Sequence, residues 1–249
     1  MNPNRNRVFP YQLPSVIARV LALAVAVGSL FLLPAQALNA ALCPETADAG
    51  EADLDRMIFF GESTTTHLSA RGGLPRRQVW SDQSGTRMLS PRVALDPLVD
   101  PSTGDPISLG ALCAREQPEV LVLSFGLNGA VYFIDHKEHY LSCYRGLIDA
   151  IKAASPNTEI LLQTVYPVAR ADGFSVDVDT LNGYLKSINE WLPEVAIGQE
   201  NVRVVDTASV LRAPDGRLRA ELADTDGIHL LPAAYVEILQ YLRTHACEF

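Results

Sequence analysis

Residues 57–68 read MIFFGESTTTHL. Met57-Ile58-Phe59-Phe60 is a short apolar run stopped by a glycine, the pattern of a buried strand. Gly61-Glu62-Ser63 then places a hydroxyl at the strand's end, and residues 64–71 are expected to continue as a helix. A serine in that position is either the cap of the helix after it or a nucleophile. The rest of the chain has to decide between the two.

Outward from this stretch, strand and helix patterns alternate. Gln78-Val79-Trp80 reads as a strand ended by Ser81-Asp82-Gln83-Ser84-Gly85, and residues 91–106, rich in Pro, Asp and Gly, read as loop. Residues 119–125, EVLVLSF, form the clearest strand; they are apolar almost throughout, as in parallel sheets covered on both faces. Residues 139–154 carry Leu141, Leu147, Ile148 and Ile151 at helical spacing. A strand is expected over 159–165, a helix over 178–192, a strand over 202–205 and a closing helix over 232–245. This order predicts an α/β domain with a mainly parallel sheet. In such sheets ligands lie beyond the carboxyl ends of the strands. Chemistry is therefore sought in Gly61-Glu62-Ser63, Ser84-Gly85, Gly126-Leu127-Asn128 and the loop 224–230 before the last helix.

The first 42 residues differ from the rest. Arg5, Arg7 and Arg19 precede an uncharged, mostly apolar run over 20–33, after which Pro34-Ala35-Gln36-Ala37 forms a small-x-small pattern. This is the layout of a secretory signal peptide. A retained N-terminal membrane anchor is the alternative, because the uncharged run continues to Pro44 and approaches the roughly 20 residues a spanning helix needs. A lipoprotein reading is weaker, since Leu42 fits poorly before a lipidated Cys43. Basic residues ahead of the apolar run place the C-terminal domain outside the cytoplasm, secreted or membrane-anchored. The organisation expected is a signal or anchor over 1–42, a short linker or leading loop over 43–56, and a catalytic domain over 57–249.

Beyond that segment 17 Lys and Arg side chains face 29 Asp and Glu, a net charge of −12. Without a basic cluster, a nucleic-acid surface is excluded. Cys43, Cys113, Cys143 and Cys247 are even in number, and export makes disulfides expected. Three pairings are possible. A clasp between the ends, Cys43 with Cys247, is the first expectation, leaving Cys113 with Cys143. No CxxC pair suggests zinc.

The four strand-end segments together hold what acyl chemistry requires: a hydroxyl at Ser63, a base at His229, a carboxylate at Asp226 to orient it, and donors at Asn128 and Gly85. The nucleophile-elbow pattern G-x-S-x-G is absent. The blocks FFGES, Gly85, FGLN and DGIHL, in this order, resemble the SGNH (GDSL-like) hydrolase family. The resemblance implies a flavodoxin-like three-layer α/β/α sandwich and ester hydrolysis without metal or cofactor. It implies Ser63 as nucleophile, His229 as base and Asp226 as its orienting group. The oxyanion hole would comprise the Ser63 N–H, the Gly85 N–H and the Asn128 side chain; Gly72 and Gly73 also lie between the first and third blocks, and Gly85 is preferred because it closes the loop after a strand. Two positions depart from the family pattern. Glu62 stands where GDS has aspartate, and little consequence is expected because that residue is outside the triad. Gly129 stands where G-x-N-D has aspartate, which removes a support from the oxyanion loop.

Other residues have ordinary readings. Four residues beyond Ser63, His67 is a rival candidate for the base, but its helix is expected to carry it away from the strand edge, so it is read as structural or as a pocket wall. His136 and His139 form H-x-x-H on a solvated face with no third ligand evident. Trp80 and Trp191 are expected in the core. Val131-Tyr132-Phe133 forms either an acyl-pocket wall or an ordinary packed loop. The function expected is an exported serine esterase acting on small-molecule or glycan esters, such as short acyl or O-acetyl groups on envelope glycans. An O-acyltransferase using the same residues and a non-catalytic binding module on the same fold are the alternatives.

Overall fold

The computed structural model describes residues 41–249 apart from Gln83, Gly85 and Thr86. The signal or anchor expected over 1–42 therefore lies, but for its last two residues, outside the described residues. No helix among the described residues is long and apolar enough to cross a membrane.

In chain order the elements are α1 (Glu51–Asp55), β1 (Met57–Gly61), α2 (Ser63–Ala70), β2 (Val79–Trp80), β3 (Leu98–Val99), β4 (Pro106–Ile107), α3 (Leu109–Glu116), β5 (Val120–Ser124), α4 (Ala130–Phe133), α5 (Lys137–Ala154), β6 (Glu159–Gln163), α6 (Val178–Ala196), β7 (Val202–Val205) and α7 (Pro232–Arg243). Five strands form one parallel sheet in the order β2-β1-β5-β6-β7. Side chains alternate across it, as the pleat requires. Phe60, Leu121, Leu123, Leu162 and Val204 join one apolar cluster with residues of α3, α5 and α6. Met57, Phe59, Val122, Leu161 and Val205 join another with residues of α2 and α7. The result is the three-layer α/β/α arrangement that the family resemblance implies, built on the mainly parallel sheet expected from the near-continuous apolar strands.

Several boundaries differ from the sequence reading for local reasons. The stretch expected as loop contains the small antiparallel pair β3-β4. Helix α3 has no counterpart in the sequence reading; Ser108 caps it by accepting from the Ala111 N–H at 3.2 Å. Helix α6, capped by Asp177, runs through Pro193 to Ala196, because Pro193, Val195 and Ala196 are buried. Residues 43–56, expected as linker or loop, contain α1. The N-terminal approach also docks on the sheet: Cys43 N–H donates to the Val204 carbonyl at 2.8 Å, and Val204 N–H to the Ala41 carbonyl at 2.7 Å.

Cys43 and Cys247 form the expected disulfide. The second expected pair does not exist: Cys113 on α3 and Cys143 on α5 are free and buried. Both pack as small apolar side chains in the core cluster. Burial pushes the Cys113 thiol up to about 12 and raises that of Cys143, which keeps both protonated and unreactive.

Candidate active site

The chain leaves β1 for β2 on one side and later enters β5 on the other. The crevice above β1 and β5 is thus the switch point at which α/β sheets bind ligands. Gly61 pairs with Ser124 across this edge. A Cβ on Gly61 would lie 2.3 Å from Thr65 Oγ1 and 2.4 Å from the Ser124 carbonyl oxygen. Glycine is required there, and it lets the chain turn directly from β1 into α2. The cap position of α2 is Glu62, not Ser63. Ser63 opens the helix with its side chain turned to a different partner.

That partner is His229. Ser63 Oγ lies 2.9 Å from His229 Nε2, and His229 Nδ1 lies 2.6 Å from Asp226 Oδ2. The other carboxylate oxygen, Oδ1, accepts from the Ile228 and His229 N–H groups at 2.8 and 2.9 Å, so the loop turns back on itself. The loop is braced from outside by Arg71, which donates to the Leu230 carbonyl and pairs with Asp224. Burial works to raise the Asp226 carboxyl, but the hydrogen bonds from His229 and Ile228 outweigh it and hold it at about 2. An ionised Asp226 can only accept, which assigns the proton to Nδ1 and leaves Nε2 free to accept from the Ser63 hydroxyl.

Asn128, beyond β5, donates one Nδ2 hydrogen to the Arg87 carbonyl at 3.0 Å. Among the described residues its second amide hydrogen has no other partner. Gly85 lies outside the described residues. Glu62 departs most from expectation. The residue is 3% exposed. Its carboxylate accepts from the N–H groups of Gly126 and Leu127, each at 3.0 Å, and of Asn128 at 3.2 and 3.4 Å. Burial pushes it up to about 7 against those three bonds. Glu62 holds the turn that carries Asn128, a role the sequence reading did not assign to it. Its contacts cross 64 to 66 positions of sequence, so no local pattern reveals them.

His67 is not carried away. Four residues is about one helical turn, and its ring centroid sits 4.8 Å from that of His229. Its Nδ1 is buried and has no hydrogen-bond partner among the described residues; burial, then the nearby His229 and Arg71, lower its basicity. It walls the base and also lines a cavity of about 700 Å³ with Thr66, Ser69, Arg76, Ser81 and Thr103. Val131-Tyr132-Phe133 is helical rather than loop. Phe133 is buried, while Tyr132 is 51% exposed and stacks on His136 at 4.2 Å. Among the described residues no group of three His, Cys, Asp or Glu is placed to hold a metal ion. Trp80 is fully buried, and Trp191 packs against Tyr140 from the edge of the core.

The GDSL-like Lipase/Acylhydrolase family model matches residues 59–236, spanning every described part of this site. The chain belongs to that family. No curated protein matches it. Among solved structures, a protein provisionally named a platelet activating factor from Streptococcus pneumonia aligns at TM-score 0.50 and 17% identity, covering 89% of this chain and 97% of its own. A provisionally assigned SGNH hydrolase from Slackia heliotrinireducens aligns at TM-score 0.50 and 16% identity, covering 77% and 98%. A provisionally assigned acylhydrolase from Bacteroides fragilis aligns at 0.49 and 16%, covering 83% and 90%. At such identities the likeness is one of fold.

Proposed function

We propose that this GDSL-family chain is an exported serine esterase that hydrolyses short acyl or O-acetyl esters, with an envelope glycan as the natural alcohol component. The observation that carries the reading is the continuous hydrogen-bonded line Ser63–His229–Asp226 at 2.9 and 2.6 Å. In this mechanism Ser63 Oγ attacks the ester carbonyl carbon while His229 Nε2 takes its proton. Asp226 stabilises the imidazolium that forms. The oxygen that becomes negative is met by the Ser63 N–H, the second Nδ2 hydrogen of Asn128 and the Gly85 N–H. His229 returns its proton to the departing alcohol. Water, deprotonated by His229, then attacks the acyl-serine and frees the acid.

Water as acceptor is supported by the openness of the site: Asp226 is 45% exposed at its side chain. This favours hydrolysis over transfer to a second sugar. A glycan is supported by the adjoining cavity, whose Thr66, Ser69, Ser81 and Thr103 hydroxyls suit a polar, hydroxyl-rich ligand. Export is supported by the Cys43–Cys247 disulfide, a bond that persists in oxidising compartments.

The test is turnover of acetyl, butyryl and octanoyl chromogenic esters and of an acetylated oligosaccharide, by wild type and Ser63→Ala. Turnover that vanishes in the variant and falls with acyl length is expected. Equal turnover by a folded Ser63→Ala protein removes the serine mechanism. Acyl transfer to the oligosaccharide that outpaces hydrolysis replaces the esterase with an acyltransferase.

A further inference from the structure

We propose that Glu62 is the positioning residue for the Asn128 oxyanion donor, and that its carboxylate must be ionised for the site to work at full rate. The proposal rests on the esterase reading above and deepens it.

Among the described residues, both carboxylate oxygens of Glu62 meet only backbone N–H groups, those of Gly126, Leu127 and Asn128. Successive N–H groups converging on one acceptor make an anion nest. Here the anion belongs to the chain itself. The preceding residue of the same turn is held from the opposite side. The Phe125 carbonyl accepts from the Tyr140 and Tyr144 hydroxyls at 3.2 and 3.4 Å, and the Phe125 N–H donates to Tyr144 at 3.0 Å. Three buried side chains therefore fix the four residues that end in Asn128.

The two departures from the family pattern then become one. A Cβ at Gly129 would lie 2.4 and 2.7 Å from two ring carbons of Phe133. The space that an aspartate side chain at 129 would need is filled by that ring, so support for Asn128 cannot come from its neighbour. It comes from position 62, where glutamate is one methylene longer than the aspartate of GDS.

The charge matters because of the partners. A protonated carboxyl would aim its own hydrogen at an N–H donor, and one oxygen would cease to accept. The titratable groups facing Glu62 are Tyr140 and Tyr144 on α5, both kept neutral because burial raises their hydroxyls. No Lys, Arg or His forms a hydrogen bond or ion pair with it among the described residues. The neighbours on α2, Ser63 to Thr65, carry no charge. Burial pushes Glu62 up to about 7, so the change falls near neutral pH. Protonation loosens the Asn128 turn, which weakens a contact made in the transition state. That lowers kcat and leaves KM in place.

The experiment compares wild type, Glu62→Gln, Glu62→Asp, Asn128→Ala and the Glu62→Gln/Asn128→Ala double variant. The expected result is a kcat loss of about 10²-fold in Glu62→Gln, the scale of one oxyanion donor. KM should stay within about threefold, and Glu62→Asp should recover part of the rate. In the Asn128→Ala background Glu62→Gln should cost less than about threefold, because the two act as one unit. The acid limb of kcat/KM should be steeper in wild type than in Glu62→Gln, which lacks the titrating carboxyl. Full, multiplicative loss in the Asn128→Ala background, or an unchanged pH profile, overturns the proposal. A further arm does not need activity: the Gly126, Leu127 and Asn128 amide NMR signals should titrate with a midpoint near 7 in Ser63→Ala protein. Absence of that titration overturns the proposal even if Glu62→Gln fails to fold. If wild type hydrolyses no ester, the esterase reading falls while this arm still decides the role of Glu62.

Discussion

Ser63 and His229 are 166 positions apart in the chain and 2.9 Å apart at Oγ and Nε2. Two elements bring them together: the turn from β1 into α2, and the loop that Arg71 ties back just before α7. Replacing either Ser63 or His229 by alanine is expected to lower kcat on a short-chain ester by at least about 10⁴-fold, and the double variant by little more, since members of such a unit are not additive. Asp226→Asn is expected to cost less, on the order of 10³-fold, because that carboxylate is half-exposed and water can take part of its place. Steady-state kinetics on the four folded proteins check the ranking. A Ser63→Ala loss smaller than that of Asp226→Asn would contradict it.

Glu62 makes activity and stability respond to pH in opposite directions. Its carboxyl is raised from 4.5 to about 7 in the folded protein. Below 4.5 it is protonated in folded and unfolded chains alike. Between 4.5 and 7 the unfolded chain releases the proton while the folded one keeps it, so stability falls as pH rises across that window and is level above it. Integrated over the window the loss is about 3 kcal/mol. Denaturant unfolding from pH 4.5 to 8 is expected to show a downward contribution in wild type that is absent in Glu62→Gln. Identical pH dependence in the two proteins would contradict the assignment.

The difference between Ser63 and Glu62 indicates what the sequence could carry. Ser63, Asp226 and His229 are legible because each lies just after a strand or just before a helix with strong apolar punctuation, and the family order of blocks runs through them. Asn128 is legible for the same reason. Glu62 lies beside Ser63 in the same short stretch, yet its partners are backbone N–H groups of another strand's turn, and backbone leaves no signature in residue types. His67 does wall a cavity as read, but its helix does not lead it away from the edge, because four residues return to the same face. The Cys113–Cys143 pairing fails because counting cysteines says nothing about whether two buried thiols face each other. Strands β1, β5, β6 and β7 show in their apolar runs, whereas α3 and α4 are short and too weakly patterned to announce themselves.

Gly129 carries a packing prediction. Alanine there would place a methyl group against the Phe133 ring at 2.4 Å, although the backbone at φ −106° accepts any residue. The cost is overpacking, about 1–3 kcal/mol. Thermal unfolding of Gly129→Ala is expected to show a lowered Tm, and Gly129→Ala/Phe133→Leu to recover part of it. A fully stable single variant would mean that Phe133 has room to move, and that the space beside Asn128 is not committed to its ring.

The Cys43–Cys247 disulfide joins residues 204 positions apart, closing nearly all of the described chain into one loop. Cross-linking so long a segment restricts the unfolded chain strongly; the loop-entropy relation gives about 5 kcal/mol for it, and loss of a native disulfide typically costs about 2–5 kcal/mol. The bond also pins the segment Ala41–Cys43, which is hydrogen-bonded to β7 at the sheet's edge. Its removal therefore frees a strand edge as well as a chain end. Cys43→Ser/Cys247→Ser is expected to unfold at distinctly lower denaturant concentration than wild type, while kcat on a short ester stays within about twofold because no member of the Ser63–His229–Asp226 line touches either cysteine. Alkylation of the denatured, unreduced wild-type chain should label two thiols, those of Cys113 and Cys143. Labelling of all four, or of none, would contradict the pairing, and unchanged stability in the double serine variant would deny the disulfide its structural role.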